Sequence, residues 1–460
     1  MEEGIKQFTN FIDFLNKSTK LNKKERLERE PWKKADGYKK EFKYDYGYFT
    51  EDALIAKLCE YIILSAKQSL TSLSEYQNCV KMMNKDQNIL SQINKYHRIF
   101  GLVTYIDHWI YISYILSKIA KRYIFSNKFD YPLFEKLYLD LETFWHNSNF
   151  VLNQISPLYN FIGENHFKQI RFSNSLSIRP MTIDEKKILT TSNVHGEDIF
   201  DISRVKYLIE YKSRLHKGFE TSSENQEVVQ NNVKFDSIMA SIITTLRLFK
   251  PGSVGIKNYH QLMEFDLAFK RGTTSGGLDL LGLEAETIGE YYYLKKEEIK
   301  ELKKFWNSYH HLLIKILDYK VFKKDKLHNI KIAIHRFNIG YHKRNPEDRV
   351  IDFVISLEAL FSKTNDPTDS ITFKIALRNA KLLSKNQNER KELYRKIVEL
   401  YRLRSKIVHG SYYEPIKFDT RNHLAKSIIA YLDLLNLHKS DSSLNVHEAI
   451  LDSIDFDSLK

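Results

Sequence analysis

Cysteine is scarce in this sequence. The two cysteines, Cys59 and Cys79, lie far apart, and neither belongs to a C-x-x-C pair. Zinc sites need closely spaced Cys or His ligands, and disulfide frameworks need several cysteines. The sequence therefore argues against both, and we expect neither a metal nor a cofactor. So few cysteines also fit the reducing cytoplasm, which is the location we predict.

Long apolar runs are missing too. The most apolar stretch, 102–116, is interrupted by Asp107 and His108. It is shorter than the roughly 18 to 20 apolar residues that a membrane-spanning helix needs. The N-terminal segment MEEGIKQFTN lacks the cationic and apolar regions of a signal peptide. We therefore expect no membrane among the partners of this protein.

Several enzyme motifs are also absent. The glycine-rich segment 251–289 contains neither the G-x-x-x-x-G-K-[ST] phosphate loop nor the G-x-G-x-x-G dinucleotide pattern. The chain has no G-x-S-x-G elbow, and HEAI near its end lacks the second His of a zinc protease. His328, His335 and His342 recur every seven residues, about 10.5 Å apart on a helix, which is too far to share one metal.

Proline and glycine, with 8 and 16 residues, are few for a chain of 460 residues. Few breakers favour long helices, and this length favours two or three domains. We predict a mainly α protein with three parts. These are a multi-helix N-terminal domain at 1–150, a small mixed α/β central segment at 151–290, and an antiparallel helical bundle at 296–460.

Local patterns support this division. In the central segment, FKQIRFSNSLSIRP alternates apolar and polar residues and VKYLIEYKSRL also allows a strand, whereas 217–232 predicts a loop and 235–250 a helix. Short connections between successive helices are typical of an antiparallel bundle. After residue 296 the helical patterns run at about 296–320, 327–342, 347–362, 370–385, 388–410, 419–438 and 444–458.

The formal net charge is +13 at pH 7. Such an excess suggests an acidic partner, of which nucleic acid is the commonest. A Lys-rich composition by itself gives the same charge, and the positive residues are spread along the chain. The charge alone therefore leaves both interpretations open.

The clearest chemical pattern lies in ELYRKIVELYRLRSKIVHGSYYEP. At 100° per residue, its apolar residues form one arc with Arg404 in the middle, whereas Arg402 lies on the solvent side. A buried guanidinium is costly without an anion, so such a residue is usually paired or functional. We place His409 at the edge of the same arc, in the last turn before Gly410, which suits a helix C′ position.

Arg404 and His409 suit the cleavage of RNA by its own 2′-OH. His409 can accept or donate a proton, and Arg404 can hold the non-bridging phosphate oxygens. One His supplies only one of the two proton transfers, so a symmetric dimer would supply both. The spacing leaves an alternative open, in which Arg404 pairs with a core carboxylate such as Glu358 and His409 caps the helix.

The stretch YRLRSKIVHG resembles the Arg-x4-His signature of the HEPN superfamily, especially the Apea-like HEPN group. Upstream, IAIHRFNIG, EDRVIDFVISLEALFS and ITFKIALRNAKLL resemble the preceding helices of that group, so that the resemblance covers about 296–438. It implies a HEPN-type bundle with Arg404 and His409 as the catalytic pair. Ser405 occupies a position where many HEPN proteins have Asn, Asp or His.

The resemblance also implies a function: a metal-independent endoribonuclease, acting on RNA as a homodimer, as a toxin-like effector of bacterial antiphage defence or abortive infection. An antitoxin or a sensor would be a further partner. We give supporting roles to Ser405, Glu358 and Arg378, and for Glu358 and Arg378 we expect a structural ion pair rather than a catalytic role. We expect weak RNA contacts from Arg402 and Lys406. The alternative is a non-catalytic HEPN module for dimerisation or nucleic-acid binding. A metal-dependent nuclease ranks third.

Overall fold

The computed structural model describes the chain in segments. Most of the predicted N-terminal domain and most of the glycine-rich segment lie outside the described residues. Two helices are described in the N-terminal part, α1 (Ser74–Lys85) and α2 (Tyr131–His146). The described segments are 71–85, 131–147, 149–164, 167–183, 185–186, 205–216, 224–257, 260–263, 283, 290–318, 327–343, 345–363, 366–367, 370–414, 419–437 and 446–456.

A small antiparallel sheet follows α2. The structure describes seven strands, which belong to this sheet or to a separate two-stranded pair. They are β1 (Asn149–Leu158), β2 (Phe161–Gly163), β3 (Ile170–Arg171), β4 (Leu176–Pro180), β5 (Tyr207–His216), β6 (His260–Met263) and β7 (Tyr292–Leu294). Five of them form an antiparallel sheet in the order β3-β4-β5-β1-β6. The other two, β2 and β7, pair in parallel, which joins segments that are far apart in the sequence.

The remaining described elements are helices. They are α3 (Glu224–Phe249), α4 (Glu298–Ile316), α5 (His328–His342), α6 (Pro346–Phe361), α7 (Ile371–Leu383), α8 (Gln387–Val408), α9 (Thr420–Leu437) and α10 (Val446–Asp455). The seven helices predicted after residue 296 are confirmed, with ends within a few residues of the predicted ones. The described protein is thus mainly helical with a small antiparallel sheet. Within it, every helix is too short or too polar to cross a bilayer.

One apolar core joins the sheet to the later helices. From the sheet, the Tyr211 ring packs against Phe235 of α3, with ring centroids 6.1 Å apart. From the other end of α3, the fully buried Arg247 donates to the backbone and side-chain oxygens of Asn338 on α5, at 3.2 and 3.0 Å. Helix α3 is therefore held by the sheet and by the later helices together.

The helices around the candidate site have defined beginnings. Helix α6 begins after Asn345, whose side chain accepts the N–H of Glu347 at 2.9 Å, and Pro346 occupies its first turn. Helix α8 begins after Asn386, whose side chain accepts the N–H groups of Asn388 and Glu389. These caps satisfy N–H groups that have no partner within the helix, and so fix where each helix starts.

A polar network fixes α7 against α9. The amide of Asn379 donates to the Ser427 hydroxyl at 2.7 Å, and its oxygen lies 2.9 Å from His423 Nε2. Burial, and then the positive charges of Lys396 and Lys426, lower the pKa of His423 to about 4. The imidazole is therefore neutral at pH 7, and its Nε2 donates the proton of that hydrogen bond.

The central segment differs from prediction in two places. The loop predicted at 217–232 is wrong in its second half, because α3 already begins at Glu224. The segment ENQEVVQ is polar yet rich in Glu and Gln, which are good helix formers. Strand β1 was not predicted, because Gln154 and Ser156 are fully buried polar residues that break the apolar alternation.

Candidate functional site

A Schellman motif closes the C-terminal end of α8. The N–H of Gly410 donates to the Ile407 carbonyl at 3.1 Å, and the N–H of Ser411 donates to the Lys406 carbonyl at 2.9 Å. Gly410 has φ +66°, in the left-handed region, which confirms the predicted C′ position. A side chain at Gly410 would meet no atom within 4 Å, so backbone conformation rather than crowding favours glycine here. The motif fixes the path of the chain next to His409.

Arg404 lies half-buried on the inner side of α8. Its Nε atom is buried and has no hydrogen-bond partner among the described residues. The half-buried Glu358 of α6 is close enough for the two charges to interact. Burial raises the pKa of Glu358, and the positive charge of Arg404 opposes that rise. The two residues are thus electrostatic neighbours without a direct hydrogen bond.

Tyr401 is a third member of this group. Its buried hydroxyl lies near the Glu358 carboxyl group without a hydrogen bond of normal geometry. Burial, and then the negative charge of Glu358, raise the pKa of Tyr401 far above its usual value. The sequence analysis gave Tyr401 no role of its own, although its position one turn before Arg404 was the available signal. Three polar groups therefore share this partly buried space.

His409 is the C-cap residue of α8, and its backbone N–H donates to the Ser405 carbonyl at 3.0 Å. Its side chain is exposed, unlike that of Arg404. Five residues at 100° each separate the two side chains by about 140° around the axis and about 7.5 Å along it. The prediction that His409 lies on the arc of Arg404 is therefore wrong. Arg404 of one chain lies behind the face from which His409 projects.

The face that carries His409 is cationic. Arg402, Ser405 and Lys406 are all exposed, and at 100° per residue they lie with His409 within a sector of about 100°. Neither Arg402 nor Lys406 forms an ion pair with any residue that the structure describes. The exposed Glu399 lies one turn earlier. The two cations that we predicted as weak RNA contacts are thus the ones beside the imidazole.

Two tyrosines follow the helix end. Tyr412 is 88% exposed. The hydroxyl of the half-buried Tyr413 donates to the carboxylate of Glu347, in the first turn of α6. This hydrogen bond, followed by that from Asn345, lowers the pKa of Glu347. The sequence analysis missed both tyrosines, because a distance of three or four residues from a candidate His carries no periodic signal outside a helix.

Arg378 lies away from this group, inside an ion-pair network. It is buried and donates to Asp366 at 2.5 Å, to Asp455 at 2.9 Å and to the Phe361 carbonyl at 2.7 Å. Burial raises the pKa of Asp366, but the hydrogen bonds from Arg378 and Lys374 outweigh it and hold that pKa far below its usual value. The expected ion pair of Arg378 is confirmed, and none of its hydrogen bonds reaches α8.

A cleft of about 510 Å³ adjoins this network. Phe373 and Lys374 of α7, Lys381 further along that helix, and Glu448 of α10 contribute to its walls, with Arg378. Lys374 is already paired with Asp366, and Lys381 donates to backbone carbonyls of α10. The walls of this cleft include neither Arg404 nor His409.

The end of α8 can thus offer an imidazole, two exposed cations and a half-buried guanidinium to an anionic ligand. Among the described residues, no group of three or more His, Cys, Asp or Glu side chains is placed to hold a metal ion. A scan against protein-family models, a search of curated proteins and a search of solved structures each found no match to this chain.

Proposed function

We propose that this protein is a metal-independent endoribonuclease whose site is the C-terminal end of α8. In this proposal α4 to α10 form a HEPN-type antiparallel bundle, and the protein acts as a homodimer in antiphage defence. The observation that carries it is the exposure of His409 beside two exposed cations, Arg402 and Lys406. Phosphate groups bind to such cations, and imidazole is the usual group for proton transfer near neutral pH.

The reaction would be attack by the 2′-oxygen of RNA on the adjacent phosphorus. The P–O5′ bond breaks, the 2′-OH proton leaves to a base, and an acid gives a proton to the departing 5′-oxygen. The products are a 2′,3′-cyclic phosphate and a 5′-OH. His409 would carry out one of the two proton transfers. Arg404 would stabilise the extra charge on the non-bridging oxygens, with Arg402 and Lys406 binding neighbouring phosphates.

A second copy of the chain supports this chemistry in two ways. It would bring a second His409 for the other proton transfer. It would also bring a second Arg404, which matters because Arg404 and His409 of one chain are about 140° apart around α8. A twofold arrangement of two α8 ends would place the arginine of one copy towards the imidazole of the other.

The second candidate is a HEPN-type module that binds a partner without cleaving RNA. The position of Arg404 favours it, since this guanidinium interacts with the half-buried Glu358 and Tyr401. A structural role would explain Arg404 without any chemistry. The two candidates differ in what happens to RNA cleavage when His409 is changed.

The experiment is RNA cleavage by purified protein in EDTA, with the cut ends sequenced for 2′,3′-cyclic phosphate. We expect His409→Ala and Arg404→Gln to lower the cleavage rate at least about 100-fold, as removal of a general acid–base or an oxyanion-stabilising group does. Arg395→Ala, which removes an exposed cation from an earlier turn of α8, is the matched control and should cleave normally.

Circular dichroism and sedimentation would verify that each variant keeps its fold and its oligomeric state. Full cleavage by a folded His409→Ala protein would contradict the proposed site. Binding of RNA without cleavage by the unchanged protein would favour the non-catalytic module. Cleavage that occurs without EDTA and is lost when EDTA is added would indicate a metal-dependent nuclease.

A further inference from the structure

An exposed aromatic ring stands next to the candidate site. Tyr412 is 88% exposed and follows His409 by three residues, so their Cα atoms lie at most about 11 Å apart. Exposed single aromatics are common on protein surfaces and need a reason before they are given a role. Here the reason comes from the backbone on either side.

The segment that carries Tyr412 is held at both ends. On one side, the Schellman motif fixes Gly410 and Ser411 to the last turn of α8. On the other side, Tyr413 is hydrogen-bonded to Glu347 of α6. Tyr412 lies between these two anchors, and its ring does not pack into the core. The backbone that carries the ring is therefore held in place, so that only the side chain of Tyr412 loses conformational entropy when it binds a ligand.

The chemistry at His409 gives such a surface a use. Attack by a 2′-oxygen needs that oxygen, the phosphorus and the departing 5′-oxygen in one line. Stacking in an A-form helix keeps the 2′-oxygen away from that line, so the nucleotide at the cut must be turned out of the stack. Proteins hold unstacked bases on aromatic side chains, with cations along the phosphates. Arg402 and Lys406 supply such cations on the adjoining face of α8.

We infer that Tyr412 is a base-stacking residue that holds an unstacked nucleotide beside the cut and thereby selects single-stranded RNA. This inference rests on the proposed function, because it takes the end of α8 as the cleavage site. Stacking tolerates any base, so Tyr412 gives selectivity for strandedness rather than for sequence. A duplex, whose bases remain stacked, gains nothing from this ring.

The test measures RNA binding separately from cleavage. In a His409→Ala background, fluorescence anisotropy compares a single-stranded oligonucleotide with the same sequence closed into a hairpin stem. We expect Tyr412→Ala to weaken single-strand binding about tenfold, and Tyr412→Phe to keep it within about twofold. Binding of the stem should not change. Phe456→Ala is the matched control, since Phe456 is 80% exposed at the end of α10.

The outcomes separate this inference from the function on which it rests. If the protein with both His409→Ala and Tyr412→Ala binds the single strand as well as the protein with His409→Ala alone, the stacking role is overturned, whatever the cleavage assay shows. Equal loss for strand and stem would also overturn it, because a general loss is not stacking. Failure of the His409→Ala protein to bind either RNA, together with an inactive unchanged protein, would overturn the proposed function itself.

Discussion

Arg404 offsets part of the cost of burying Glu358. Burial raises the pKa of this carboxyl group from its ordinary value of 4.5, and the guanidinium lowers it. A carboxyl with a raised pKa holds more protons in the folded than in the unfolded chain. The free energy of unfolding therefore falls as pH rises from 4.5 through the raised pKa. Above that pH range Glu358 is charged, and the guanidinium of Arg404 then contributes most to stability.

We expect Arg404→Met to lower the free energy of unfolding by about 1 to 2 kcal/mol at pH 8, the range for a half-buried pair. The loss should be smaller at pH 5, where more of Glu358 is protonated. Urea denaturation at the two pH values measures the difference. Adding Glu358→Gln should remove the difference between the two pH values, because the variant then has no Glu358 charge left without the guanidinium of Arg404. Equal losses at both pH values would show that the two groups are not coupled.

At this scale the sequence predicted some positions and not others. The 100° step correctly gave Arg404 and Arg402 opposite exposures, because both lie within regular helix. The same step, carried five residues further, puts His409 on the face of Arg402 rather than of Arg404. Tyr412 could not be predicted, since its exposure depends on how the chain leaves the helix after Gly410.

The end of α8 depends on one left-handed residue. We expect Gly410→Ala to lower the free energy of unfolding by about 1 kcal/mol, because an L side chain is strained at φ +66° although space for it exists. Gly410→Asn should lose less, since Asn tolerates this region better. Urea denaturation of the two variants tests this. An alanine variant as stable as the unchanged protein would mean that the helix can end in another way.

Helix α3 contains a carboxyl group that is costly when charged. Asp236 is half-buried, its Oδ1 atom has no hydrogen-bond partner among the described residues, and burial raises its pKa to about 6. Because the ordinary value is 3.8, this group lowers the free energy of unfolding as pH rises from 3.8 through 6.

Asp236→Asn should therefore stabilise the protein above pH 6. We expect a gain of about 1 to 2 kcal/mol at pH 8, after allowance for solvent screening at a partly exposed group, and a smaller gain at pH 5. Thermal or urea denaturation at both pH values measures it. A gain that is the same at pH 5 and pH 8 would mean that the charge of Asp236 is not its cause.

The helices with a regular apolar spacing were predictable, whereas strand β1 was not. The helices after residue 296 show the spacing of one apolar face, which is why their positions are confirmed. Strand β1 lies between β5 and β6 and is covered on both faces, so its sequence does not alternate. The start of α3 was missed because its first turns carry polar residues that a loop would also carry.

At the scale of the whole molecule, the proposed homodimer predicts dominant interference. If each reaction needs two His409 side chains, one from each copy, then a dimer of unchanged and His409→Ala chains is impaired. We expect a fourfold excess of the variant to lower the cleavage rate of a fixed amount of unchanged protein at least about twofold after the chains are allowed to exchange. Arg395→Ala protein in the same excess should not lower it. A rate unaffected by the His409→Ala excess would mean that one chain is sufficient.

The composition predicted a mainly helical protein, but it did not show which segments share a core. Arg247 of α3 lies in the part of the chain assigned to the central segment, yet it bonds to Asn338 among the later helices. A side chain that joins two segments leaves no pattern in either of them. This type of information is available only from the folded chain.

The parallel pairing of β2 with β7 has a consequence for protein synthesis. Among the described strands β2 pairs with β7, so Phe161 gains this partner only after Tyr292 has left the ribosome, and α8 is made later still. Throughout that interval β2 lacks the strand pairing that it has in the folded chain. Because the His409 end of α8 follows both strands, a shortened translation product that stops before β7 would contain none of the proposed catalytic residues and would lack the proposed RNA-cleaving activity.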